Sequence, residues 1–330
     1  MKFSEIDSGI LTINGIDEVD IKKLSIKDEN LEKIVKEFQN DLTGKNKNNL
    51  KFIKFVIKTI KSNNLDIPVL PEIANKIIAL SNDKNSGFSD YADVVSNDPL
   101  IALKVIKLAN SPMYRGLRDV SDISLAMSRL GVDGIKELVL TDSLNSIVFK
   151  NIEFKKHIDK IWKDSILMAL LSSRIANYFR LNPSLIYTAS LVHRIGSILI
   201  FDIVEKFNQV SDFKHFLSDD FALRIGRAFN KRLTIKVLEN WYFTKEQIIG
   251  VKNYDIKPVS VALLEHKILY LSRIIIGALD VIMMDYDEDS TFPYIFMLNE
   301  VPLEIEPEVL KDMTEGSLEN YNDFIKDLYN

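Results

Sequence analysis

The chain has 330 residues, 46% of them hydrophobic and 27% charged, enough apolar material for a substantial core and a length that suits about two domains. A net charge of -5 with a pI near 5.6 excludes a general affinity for nucleic acid, because phosphate-backbone binding needs clustered Lys and Arg to release counterions. The complete absence of cysteine excludes disulfides, thiolate metal sites and Cys nucleophiles, and makes the cytoplasm the expected compartment.

In chain order, the first helix signal is Asp28, a cap before Leu31, Ile34, Val35, Phe38 and Leu42, which follow helical spacing. The polar run Gly44–Asn49 reads as a linker, and a second amphipathic run covers Phe52 to Ile60. Pro71 is placed in the first turn of a helix carrying Ile73, Ala74, Ile77 and Ile78, and Ser89 is expected to cap Tyr91 to Val95. Asp98-Pro99 is a strong start signal for a helix ending near Asn110-Ser111-Pro112. Gly131 is expected to end one helix and Asp133 to begin another that runs to Phe149, with a turn at Phe149–Glu153.

Farther on, Ile158, Ile161, Trp162, Ser165, Ile166, Ala169, Leu170 and Ser173 mark one face of a long helix. Asn182-Pro183 starts a helix read as continuing through His193. Thr244-Lys245-Glu246-Gln247 has the form of a capping box, and Pro258 is expected to open a long helix to Ile282. The tail from Tyr286 to Asn330, with Pro293, Pro302 and Pro307, reads as an extension. Neither the polar, acidic start at Met1 nor Ile268–Met284, broken by Arg273 and Asp280, reads as a signal peptide or a membrane span. Lys22-Lys23 and Lys155-Lys156 read as solvated faces.

No P-loop, dinucleotide-binding glycine pattern or Gly-x-Ser-x-Gly elbow is present, and Asp285–Asp289 lacks the ligand spacing of a calcium loop. The most informative stretch is Leu191-Val192-His193-Arg194-Ile195-Gly196, an apolar segment interrupted by one polar pair. A His beside a carboxylate there would be half of a metal site, but Arg194 is permanently cationic and repels a metal ion.

Several segments follow one another in the order of a known family. They are Ile67-Pro68-Val69-Leu70-Pro71-Glu72-Ile73, Ser96-Asn97-Asp98-Pro99-Leu100, Leu108–Tyr114, Ser124–Gly131, Trp162-Lys163-Asp164-Ser165 and the His193-Arg194 stretch. In this series the chain resembles the HD-related output domains, HDOD, whose relatives with intact His-Asp pairs are metal-dependent phosphohydrolases. The resemblance implies an all-α, HD-domain-like bundle of two packed helical subdomains. The domain is expected at 51–285, divided into about 51–152 and 153–285, between extensions at 1–50 and 286–330.

Carrying the family's ligand positions over one by one, the resemblance sets Asp164 where a His stands in Trp-x-His-Ser, and His193-Arg194 where the His-Asp pair stands. Two later His positions fall at Asn230 or Lys231 and at Lys252-Asn253-Tyr254, and the final Asp position falls at Ser272. Asp164, His193, Arg194 and Ser272 thus read as vestigial metal-site positions, with no metal, no cofactor and no catalytic residue expected. Two ligands beside a guanidinium neither activate water nor clamp a phosphate. The plainest reading of His193 is a buried, hydrogen-bonded histidine; His157, His215 and His266 carry no catalytic expectation.

The expected function is a non-catalytic module of bacterial signal transduction acting through protein partners, with no membrane insertion. Met113, Tyr114 and Arg115, in a loop between helices, are a candidate interaction loop, since Met, aromatic and Arg residues are enriched at interfaces. A second reading is a sensor that holds a nucleotide or small anion through Arg194, and a third is a residual metal-dependent phosphohydrolase. With the metal gone, Asp164 and Arg194 are expected to form an ion pair, because an unpaired buried carboxylate would cost several kcal/mol.

Overall fold

The computed structural model describes residues 47–61, 65–111, 114, 116–148, 154–210, 219–259, 262–285, 290–301 and 303–329. The helix expected after Asp28, the turn at 149–153, His215, Met113 and Arg115 lie outside these residues. Among the described residues there are helices and no β-strand, an all-α fold. Contacts divide the chain into two compact units, one formed by residues up to Ile67 with Ile195–Leu233, the other by Pro68–Arg194 with Thr234–Asn330.

Numbered in chain order, the helices run from α1 (Lys47–Lys61), in the smaller unit, to α2 (Glu72–Asn82), α3 (Phe88–Ser96), α4 (Pro99–Ala109) and α5 (Ile123–Val148) in the larger one. Asp98 starts α4 as its sequence signal predicts: Oδ1 accepts from the N–H groups of Leu100 and Ile101, each at 3.1 Å, and Pro99 occupies the first turn. Asp98→Ala is expected to cost about 1 kcal/mol in chemical denaturation, the usual worth of such a cap; an unchanged midpoint would refute this role. Ser89 does not cap α3. The helix begins two residues earlier, at Gly87, because the Asp90 carboxylate accepts the Gly87 N–H at 2.7 Å and closes the turn there.

Gly131 lies inside α5, with φ at 69° and ψ at 176°, and kinks it between two helical stretches. An L side chain rarely adopts that φ, which is why the sequence break falls on glycine. The helices α2 to α5 enclose a core of Ile77, Tyr91, Val95, Val105, Leu108, Met127, Ile135 and Leu138.

The chain continues through α6 (Lys155–Tyr178), α7 (Pro183–Val192), α8 (Ile195–Val210), α9 (Asp219–Asn240) and α10 (Lys245–Asn253). It ends with α11 (Leu264–Asp285), α12 (Phe292–Glu300) and α13 (Pro307–Tyr329). In the larger unit α6 packs along α7, α11 and α13, and α10 packs on α7. Pro258 does not open α11, which starts six residues later. The intervening chain makes a turn from Val259 O to Ala262 N and is fastened by His266 Nε2–H donating to Ile256 O at 2.7 Å.

In the smaller unit α1 packs on α8, with Phe52 and Phe55 set against Phe207 at ring-centre distances of 5.3 and 5.5 Å. Ser197 N–H and Oγ donate to Asn230 Oδ1 at 2.9 and 3.1 Å, which ties α8 to α9. By length and composition alone, Pro183–Asn208 is apolar enough to cross a membrane, and 89% of its most apolar window is buried within the fold.

Candidate functional site: the His193 cluster

The helix read as running through His193 breaks there. His193 caps α7, and α8 begins two residues later. At the turn, Ser190 O receives the His193 ring Nδ1–H at 2.5 Å. A carbonyl only accepts, so the proton sits on Nδ1 and the lone pair on Nε2.

The ring is 3% exposed and meets Tyr254 edge-on, with centres 4.8 Å apart and planes at 72°. Burial, then the neighbouring Arg194 charge and more weakly Arg273, push its pKa down to about 3, against the opposing pull of the Ser190 bond. His193 is therefore neutral throughout the physiological range. Below it, Ser190 Oγ and Ser172 Oγ share a buried hydrogen bond of 2.7 Å between α7 and α6.

Asp164 comes from α6 and Arg194 from the turn after α7, and the packing of these helices brings them together. Arg194 Nη1 lies 3.6 Å from Asp164 Oδ2, with side chains 23% and 22% exposed. That distance makes an ion pair and exceeds a direct hydrogen bond. Ser272, on α11, is fully buried, and its Oγ has no hydrogen-bond partner among the described residues. Arg273 beside it stacks its guanidinium 4.8 Å from the Tyr270 ring centre, and its Nε likewise has no hydrogen-bond partner among the described residues.

These residues do not fit a divalent cation. The Asp164 carboxylate is matched by the Arg194 guanidinium, Arg273 adds charge of the same sign near His193, and Ser272 offers only a neutral hydroxyl. Among the described residues no three of His, Asp, Glu or Cys gather as a metal site would require. Sequence reasoning passed over Tyr254, named only as a place without histidine, and over Ser190 and Arg273. Ser190 stands one helical turn before His193, but no spacing rule connects Tyr254 or Arg273 to it; only the packing of α7, α10 and α11 does.

Asn230, the other expected ligand position, is occupied in holding Ser197. Tyr114 of the candidate loop is turned inward. Its hydroxyl would lie 3.5 Å from a Cβ at Gly134, and burial, with Glu137 nearby, raises its pKa above the ordinary tyrosine range. Glu137 itself is raised to about 8 by burial and by Asp133, partly offset by a hydrogen bond from Ser173, so it keeps its proton at neutral pH.

A family model described as HDOD domain matches residues 67–255. No curated protein matches the sequence. Among solved structures, a candidate metal-dependent phosphohydrolase from Shewanella amazonensis superposes with a TM-score of 0.64 at 20% identity, covering 86% of this chain and 99% of its own. An HDOD domain protein with unknown function from Geobacter sulfurreducens gives 0.59 at 18%, covering 83% and 100%. A candidate signal transduction protein from Marinobacter aquaeolei gives 0.56 at 18%, covering 84% of this chain and 65% of its own. At such identities the superpositions speak for a shared fold. The family match spans more than half of the sequence, and it includes Asp164 and the His193-Arg194 turn: the chain belongs to the HDOD family.

Proposed function

We propose that this HDOD protein is a non-catalytic signal-transduction module that works by binding protein partners, and that Asp164, His193, Arg194 and Ser272 are the remains of a metal site. The reading rests above all on Arg194, whose guanidinium stands against Asp164 beside a neutral, hydrogen-bonded His193. An ion pair linking α6 to the end of α7 supplies the cohesion that a metal would supply, without its Lewis acidity. The loop at residues 113–115 is offered as one partner surface.

Purified protein loaded with Mn, Fe or Zn is expected to retain no stoichiometric metal after desalting and to hydrolyse neither phosphodiesters nor nucleotides. Metal retention or turnover that disappears in His193→Ala would overturn the proposal. A second reading, in which Arg194 holds a small anion or nucleotide, is favoured by the additional positive charge of Arg273 near His193. Saturable nucleotide binding lost in Arg194→Ala distinguishes it.

A further inference from the structure

At the opposite end of α7 from His193 lies a cavity of about 100 Å³, room for several water molecules at ~10–15 Å³ each. Its lining joins Ser81 and Asn82 at the end of α2, Lys136 of α5, Ser184 and Thr188 in the first turns of α7, and Thr244 before α10. The donors there are arranged by the helix start. Pro183 has no N–H, and the Leu185 N–H is taken by Asn182 Oδ1 at 3.0 Å. The Ser184 N–H is then the next first-turn donor, and it has no intrahelical acceptor.

Ser184 is 7% exposed, and its hydroxyl makes no hydrogen bond among the described residues, although its carbonyl accepts from Thr188 Oγ1 at 2.8 Å. A hydroxyl so enclosed faces the cavity it lines. Lys136 brings a full positive charge on a side chain only 19% exposed. Its companion Asp133 lies 3.6 Å away and is 56% exposed, so the carboxylate is the wetter partner. The α7 N-terminus adds partial positive charge of its own.

We infer that this cavity is a binding site for a small oxyanion group, the phosphate or carboxylate of a metabolite, held by Lys136 and by the hydroxyl and N–H of Ser184. The site is separate from the His193 cluster and does not depend on the signalling role proposed above. Full-length protein titrated with inorganic phosphate and, separately, with acetate, each at ionic strength matched by chloride, tests it by calorimetry and thermal unfolding. The expected result is saturable binding of at least one anion, with the preference identifying which group the cavity takes.

Affinity should fall at least tenfold in Lys136→Met and at least threefold in Ser184→Ala, while Lys136→Arg keeps it. The arginine variant retains the charge and so separates loss of the site from loss of the fold. Absence of saturable binding by either anion, or affinity unchanged in Lys136→Met, overturns the assignment.

Discussion

Stability measured by urea unfolding across pH is expected to show a plateau from about pH 4.5 to 6.5 and to decline on both sides. Two groups set these limits, the buried His193 and the half-buried Glu137. His193 has its pKa lowered from 6.5 to about 3, so the folded chain loses stability as pH falls below 6.5 and the unfolded chain takes up a proton. Glu137 has its pKa raised from 4.5 to about 8, so the folded chain holds a proton that the unfolded chain releases, and stability is lost as pH rises from 4.5 to 8.

Between 4.5 and 6.5 the two effects have opposite slopes and cancel. Outside that window one slope acts alone, at about 1.4 kcal/mol per pH unit, giving roughly 2 kcal/mol on each flank. Glu137→Gln should flatten the alkaline flank and leave the acid one in place. If the variant and the parent decline in parallel between pH 6.5 and 8, the assignment to Glu137 is wrong.

The second large effect belongs to the pair that stands in the vestigial site. Asp164→Ala leaves the Arg194 guanidinium, beside neutral His193 and near Arg273, without its carboxylate, and should cost about 1–3 kcal/mol. The 3.6 Å separation and the partial exposure of both side chains place the expectation in the lower half of that range. Arg194→Ala should cost a similar amount, and the double variant less than the sum, with a coupling of at least ~0.5 kcal/mol. A four-protein denaturation cycle measures this directly, and strictly additive losses would show that the two charges do not act together.

The sequence carried the parts of this fold that are written in local chemistry. Asp98-Pro99 and Asn182-Pro183 cap and start their helices because a short side-chain acceptor and a ring without an N–H act within one turn. The apolar spacing of α6 marked the face that is buried, from Ile158 to Leu170. The Asp164–Arg194 pairing was legible as well, since the family order set the two positions opposite each other and charge balance required a partner.

Local patterns failed where tertiary contacts or neighbouring side chains compete with them. Ser89 is a good capping residue, yet Asp90 reaches back to Gly87 and moves the helix start. The apolar run through His193 gives no sign of the turn that separates α7 from α8, where the imidazole bonds the Ser190 carbonyl. Glu137 gives no sequence sign of its retained proton, which arises from burial among α5, α6 and the Tyr114 segment.

The attachment of α13, which lies beyond the segment matched by the family model, is of a different kind. Arg174 Nη2 on α6 donates to the backbone carbonyl of Gly316 at 3.1 Å, and a Cβ at position 316 would come within 2.5 Å of Arg174 Nη1. Arg174 thus holds α13 by its main chain, and Glu319 of the same helix adds an attractive charge. A side chain at position 316 would crowd the guanidinium, while Leu310, Thr314 and Ser317 are buried and constrain the helix by their own packing. What Gly316 brings to this contact is a missing side chain, which no composition or periodicity would reveal.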